Sequence, residues 1–214
     1  MLPAWPCIVT YPYNKYVLVI INKSYISLVT ALLAWLLWTP CIGQKKYERE
    51  FSIKSDAVPQ AAADFVSSVF KKSKIHWYGE ESLTGKSIEA KLKYAGRRYS
   101  IEFDESGNIQ DVEILSGINE MQPDSREKLK ENLNKEFSHY KIVKTQLHWK
   151  GPVEALKESV IQNIAAKGVM TRYELVLKGS KDKTETYYEV LAEENGIIVS
   201  VHEIVQRNTD NLIF

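Results

Sequence analysis

The residues best suited to metal or proton chemistry are four histidines (His76, His139, His148 and His202) set among many carboxylates. No histidine stands in an HExxH-type spacing, and none has a cysteine within ligand reach along the chain, so each reads as a surface strand histidine. Glu80-Glu81 and Glu193-Glu194 are the paired carboxylates that acid/base work would call for. They fall in expected loops and read as solvated charge. Asp104-Glu105-Ser106-Gly107-Asn108 begins like a calcium loop but lacks the later ligands and the closing Glu, which leaves a hairpin turn. No GxSxG elbow, phosphate loop or dinucleotide glycine pattern is present. The residues therefore predict no catalytic, cofactor-binding or metal site and a non-enzymatic chain. The rival is an envelope hydrolase or metal-dependent enzyme, which would need a His/Asp/Glu cluster assembled by the fold.

The elements that would position such groups are legible from period. Ser87–Leu115 contains three alternating runs: Ile88/Ala90/Leu92/Tyr94, Tyr99/Ile101/Phe103 and Val112/Ile114. A period of two makes each a half-buried strand, and Ala95-Gly96 and Glu105–Asn108 supply the turns between them. Phe51 and Ile53 could add an edge strand before this unit. A helix starts near Pro59, with Ala62, Phe65, Val66, Val69 and Phe70 as its apolar stripe. Ile75 and Trp77 mark a short strand, followed by a loop over Glu80–Lys86. After the linker Ser116–Pro123 the order repeats. Asp124 and Glu127 suggest a capping box, and Leu129, Leu133 and Phe137 form a second stripe.

Ala62/Leu129, Val66/Leu133, Phe70/Phe137 and Ile75/Ile142 share an offset of 67; Ile88/Tyr173, Ala90/Leu175 and Leu92/Leu177 share 85. Tyr99/Tyr188, Ile101/Val190, Gly107/Gly196 and Val112/Val201 share 89. Such constant offsets indicate a tandem duplication. The first step in offset is filled by Pro152–Lys167, where Val153, Leu156, Val160 and Ile164 predict an inserted amphipathic helix. Trp77, Trp149, Tyr99 and Tyr188 are expected in the core. The fold class expected is α+β: two units, each a helix on an antiparallel four-stranded sheet, over residues 44–118 and 119–214.

Residues 1–43 differ in kind, with no Asp, Glu or Arg and only Lys15 and Lys23. The apolar run from Ile26 to Trp38, followed by Cys41-Ile42-Gly43, predicts a secretory signal cut before Gln44. Residues 1–20 could be an overlong start. The apolar run is too short for a stable span, so no membrane span is expected after cleavage. Taking Lys15 and Lys23 from the 28 basic residues leaves 26 against 27 acidic ones. That balance argues against a nucleic-acid partner.

The helix near Pro59 with RRYSIEFDESGNIQDVEI, and the second copy TRYELVLKG…TYYEVLAEENGIIVSVHEIV, resemble the PepSY-like domains of secreted bacterial proteins. Over residues 47–214, including the ending RNTDNLIF, the tandem resembles the β-lactamase-inhibitor-like, PepSY-like envelope proteins of Bacteroidetes-type bacteria. The resemblance implies a helix packed on an antiparallel sheet, twice, and a non-enzymatic role in inhibition or ligand binding. The expected function is a periplasmic or secreted protein that recognises a protein or peptide of the cell envelope, with inhibition of an enzyme or peptidase as the family-level role. A structural or stress-linked envelope protein is the third alternative. No functional residue transfers by motif.

One asymmetry nominates a surface. With Tyr188, Val190 and Val201 under the helix, the open face of the second unit shows Val176, Tyr187, Leu191, Ile198, His202 and Ile204. The first unit shows Lys91, Lys93, Arg98, Glu102, Asp111 and Glu113 instead. An apolar face needs a cover. The inserted helix folding back over it is the favoured cover, and a partner is the alternative. Glu102 and Glu189 are expected to face water.

Overall fold

Among the described residues, strand pairing runs without a break across one sheet. The computed structural model describes residues 45–181 and 184–205, so the expected signal at 1–43 and the RNTDNLIF ending lie outside the described residues. The strands are β1 (Lys45–Lys46), β2 (Glu48–Ser52), β3 (Ile75–Ser82), β4 (Lys86–Tyr94), β5 (Arg97–Asp104), β6 (Ile109–Ser116), β7 (His139–Lys150), β8 (Met170–Ser180), β9 (Glu185–Glu193) and β10 (Ile198–Ile204). The helices are α1 (Gln60–Val69), α2 (Pro123–Glu136) and α3 (Val153–Gln162). All ten strands form one sheet in the order β1-β10-β9-β8-β7-β6-β5-β4-β3-β2.

This corrects the expectation of two separate four-stranded units. β6 pairs with β7 from Val112↔Trp149 to Ser116↔Thr145, which fuses the two halves into one ladder. The sheet also nearly closes on itself. β2 pairs antiparallel with β3, while β1, two residues earlier, pairs parallel with β10. One extended stretch, 45–52, thus spans the gap between the first and last long strands and covers both of their edges, which would otherwise be sticky. Bulges at Glu102/Phe103, Ile142/Lys144 and Ile198/Ser200 supply the curvature. The short strand pattern read at Phe51 and Ile53 is this closing ribbon. The period-two reading missed its role because pairing partners leave no trace in local periodicity.

All three helices pack on the outer face. Phe65, Val66, Val69 and Phe70 of α1 lie on Trp77, Tyr99, Ile101, Phe103 and Ile114. Leu129, Leu133 and Phe137 of α2 lie on Tyr173, Leu175, Leu177, Tyr188 and Val190. Two glycine turns abut the helix starts. Gly107 and Gly196 both have positive φ, and a Cβ on Gly196 would sit 2.2 Å from the Ser125 carbonyl oxygen. No larger residue fits there. The helix α2 starts at Pro123, with Gln122 at its N-cap and no side-chain cap, so the expected Asp124/Glu127 capping box does not form.

The inserted helix also sits on the outer face, contrary to the expectation that it covers the open face of the second half. Leu156 and Val160 of α3 are buried in the first core beside Trp149, and α3 contacts α1. The cause is local: Trp149, near the end of β7, points outward, and the turn at Gly151-Pro152 drops the helix onto it. Arg97 ties it down by donating to Asn163 Oδ1 at the helix end, 3.1 Å away. Among the described residues no helix is long and apolar enough to cross a membrane.

Candidate functional site

Charged side chains dominate the cavity on the inner face of the curled sheet. The ribbon 45–52 contributes Lys46, Glu48 and Glu50. β3 adds Glu80, β4 adds Glu89 and Lys91, and β5 adds Glu102. β6 adds Asp111 and Glu113, β7 adds Lys144 and Gln146, β8 adds Glu174, and β9 adds Glu189. Nine carboxyls therefore face three lysines around a single cavity of about 130 Å³. Its mouth, a further hollow of about 370 Å³, lies between Tyr47, the turn after β3, Gln110 and His202.

Strand register stacks like charges side by side: Glu89 is opposite Glu102, and Glu102 is opposite Asp111. Directly opposed like charges destabilise a sheet. The lysines relieve part of this. Lys91 lies 2.9 Å from Glu50 and 3.1 Å from Glu89, and Lys46 bonds Glu189 and lies 2.8 Å from Glu48. Burial works against both ammonium groups, but the surrounding carboxylates outweigh it and hold their pKa values above the usual lysine range.

The remaining acids respond to burial and crowding. Burial, then Glu48 and Glu102, push Glu80 up to about 9. Burial and Asp111 push Glu102 up to about 7 and Glu113 up to about 8. Burial and Glu113 hold Glu174 well above the carboxylate range. Near neutral pH a share of these acids is thus protonated, because three lysines cannot balance nine carboxylates.

The sequence reading of Glu102 and Glu189 as water-facing is corrected here, since both line the cavity. So do Lys91, Asp111 and Glu113, whereas Lys93 and Arg98 at the strand ends are exposed as expected. Glu80 lies within β3 and not in a loop, because that strand continues to Ser82. The turn at 104–108 is the expected hairpin, where Asp104 Oδ1 accepts from the backbone N–H of Ser106 and Asn108.

The six residues nominated as a partner surface do not form one apolar patch. Val176 and Ile204 line the cavity, and His202 stands at the mouth 4.0 Å from Glu189. Tyr187 and Leu191 share the inner face by alternation with the buried Tyr188 and Val190. Ile198 packs against the second core on the outer face, because the Ile198/Ser200 bulge shifts its phase. Glu174 and Glu189 lie between them, so the face is charged.

The sequence reading missed one cluster. Asp111, Glu113 and His148 converge, with one ligand atom from each lying within 4.8 Å of the others. The pairing of β6 with β7 creates it by setting Glu113 opposite His148. That contact joins the two halves and is invisible when each is read alone.

No family model and no curated protein sequence matches the chain. Solved structures are similar in backbone course. A BLIP-like protein from Bacteroides fragilis shares 13% identity, with 72% of this chain and 92% of that one covered at a TM-score of 0.46. A DUF2874 family protein from Bacteroides ovatus shares 10% identity over 70% and 89% of the two chains, with a TM-score of 0.47. A protein of Bacteroides eggerthii, ascribed to the periplasm, shares 10% identity over 72% and 94%, with a TM-score of 0.48. The chain is thus similar to BLIP-like and periplasmic proteins of Bacteroides.

Proposed function

We propose that this chain is a non-enzymatic binding protein of the cell envelope that receives a cationic group of a protein or peptide through the mouth of its curled sheet, into the acid-lined interior. The observation that carries the reading is the interior itself, where nine carboxyls face three lysines around one cavity. A lysine or arginine side chain of a ligand supplies the missing charge. It lets Glu80 and Glu102 ionise and replaces like-charge repulsion with charge-assisted hydrogen bonds. Export and a periplasmic address are part of the proposal, supported by the charge-poor segment ending in Cys41-Ile42-Gly43. Inhibition of an envelope enzyme is one form such binding takes, with a basic loop of the enzyme entering the mouth.

Calorimetric titration of the full chain with a lysine- and arginine-rich peptide and a matched acidic peptide tests this. The basic peptide is expected to bind at low salt, to weaken at high salt as surface electrostatics are screened, and to weaken further in Glu80→Gln. Equal binding of the acidic peptide, or none of the basic one, overturns the reading.

A further inference from the structure

Where Asp111 and Glu113 line the cavity, His148 on the neighbouring strand adds a different donor chemistry beside the wall. Glu113 and His148 face each other across β6 and β7, and Asp111 lies two residues before Glu113 on the same face. Their three ligand atoms, two carboxylate oxygens and one imidazole nitrogen, lie within 4.8 Å of one another. His148 Nε2 is 3.3 Å from Asp111 Oδ2.

An independent observation concerns what these groups leave unmet. Asp111 is only 7% exposed, and its Oδ1 is buried with no hydrogen-bond partner. The Nδ1 of His148 is likewise buried and unpartnered. A buried carboxylate oxygen without a donor costs stability and in native proteins calls for an explanation such as an ion. A plain His–Asp pair satisfies one oxygen of Asp111 and leaves Glu113 as a second acid beside it. The Gln146 side-chain amide donates to Glu113 Oε2, as an outer-shell partner does when it orients a ligating carboxylate.

We propose that Asp111, Glu113 and His148 form a binding site for a first-row divalent cation, with zinc as the best-matched ion. One imidazole and two carboxylates are a mixed nitrogen–oxygen set without sulfur, which suits zinc and its neighbours and not calcium, which takes six to eight oxygens. Ligand atoms around a tetrahedral zinc are about 3.3 Å apart, because each bond is about 2.0–2.1 Å. Rotation about the Glu113 side chain closes the remaining gap. The cavity leaves space for water in the fourth position. The site rests on the reading of this interior as a receptor for positive charge, and it assigns the inner wall to an ion while the mouth takes the peptide. Two charges from the ion offset the row of carboxyls from Glu89 to Asp111.

The test is zinc titration of the chelator-stripped, tag-free full chain, read by a competing zinc dye and by the nitrogen shifts of the His148 ring. One zinc per chain beyond any held by cysteine is expected, with a rise in Tm and a shift of the His148 nitrogens. Because Cys7 and Cys41 also take zinc, the decisive quantity is the difference made by substitution. Glu113→Gln and His148→Gln should each weaken zinc binding at least 10-fold, and His139→Gln, at an exposed strand end away from the cavity, should leave it unchanged. Thermal melts of the stripped variants show that each is folded. Unchanged affinity in both folded variants, or no movement of the His148 nitrogens, overturns the site. If the basic peptide still binds in that case, only the ion site falls. If zinc binds as expected and the peptide does not, the peptide reading falls and the ion site stands.

Discussion

The two faces of one sheet do opposite things. The outer face buries apolar side chains under three helices, with Ala90, Ile101, Val112, Ile114, Leu175, Leu177 and Val190 at 0% exposure. Each buried Ile, Val or Leu among these contributes roughly 1.5–3 kcal/mol to folding. The inner face holds Glu89, Glu102 and Asp111 in register and pushes several acids out of their charged form. That arrangement costs stability. The same backbone serves both faces, so removing the charge would be a small evolutionary step. Its presence is what the proposed binding role would account for, since functional sites are where proteins retain locally unfavourable groups.

The largest expected effect breaks the outer face. Leu156 is fully buried between α3 and the first core. Leu156→Asp should destabilise by about 3–5 kcal/mol through an uncompensated buried charge. Chemical denaturation reads this, and an unchanged midpoint would mean that α3 is not packed where it is described. Ile101→Ala comes next, at about 2–5 kcal/mol, from lost burial plus the cavity left behind. Val190→Ala should cost less because it deletes fewer methyl groups.

Glu80 should respond with the opposite sign. Its folded-state pKa of about 9 lies above the ordinary 4.5, so the folded chain binds more protons than the unfolded one between those values. Stability therefore falls as pH rises through that window, and Glu102 and Glu113 add to the fall because their values are raised too. Melting temperature, measured with chelator present, should be higher at pH 5 than at pH 8. Glu80→Gln should raise stability at pH 8 by roughly 1–2 kcal/mol and flatten the profile, since a tenfold difference in proton affinity between folded and unfolded chain is worth up to about 1.36 kcal/mol. A loss of stability in Glu80→Gln at pH 8 would mean that the carboxylate is satisfied in the fold.

The two faces were not equally legible in sequence. Period two marked Ile101, Val190 and their neighbours as core, and the paired positions Ala62/Leu129, Val66/Leu133 and Phe70/Phe137 are all buried. Here the local signal sufficed, because burial against a helix is encoded in each strand by itself. On the inner face Lys91, Glu102, Asp111 and Glu113 have the composition of a solvated surface. What encloses them is the pairing of β6 with β7 and the ribbon 45–52, both contacts between distant segments. The slip of Ile198 to the outer face arises from a bulge, which adds one residue without a distinctive sequence mark. The cluster at Asp111, Glu113 and His148 was hidden for the first of these reasons.

The smallest expected effect separates enclosure from charge. Glu154 lies on the outward side of α3, 83% exposed and 2.7 Å from Lys157. Glu154→Gln makes the same chemical change as Glu80→Gln, a carboxyl replaced by an amide, but on a group that lies in water. In water the pair is screened and its side chains lose entropy to meet, so the change should shift stability by less than about 0.5 kcal/mol. The melting profile against pH should keep the slope of the unaltered chain. The contrast between the two substitutions is the sharper quantity, because both make the same change from carboxyl to amide. If Glu154→Gln flattened the profile as much as Glu80→Gln, the pH dependence would report the chain's overall charge and not the crowding of carboxyls inside the sheet. A steep profile that only the inner substitution relaxes assigns the cost to the cavity wall.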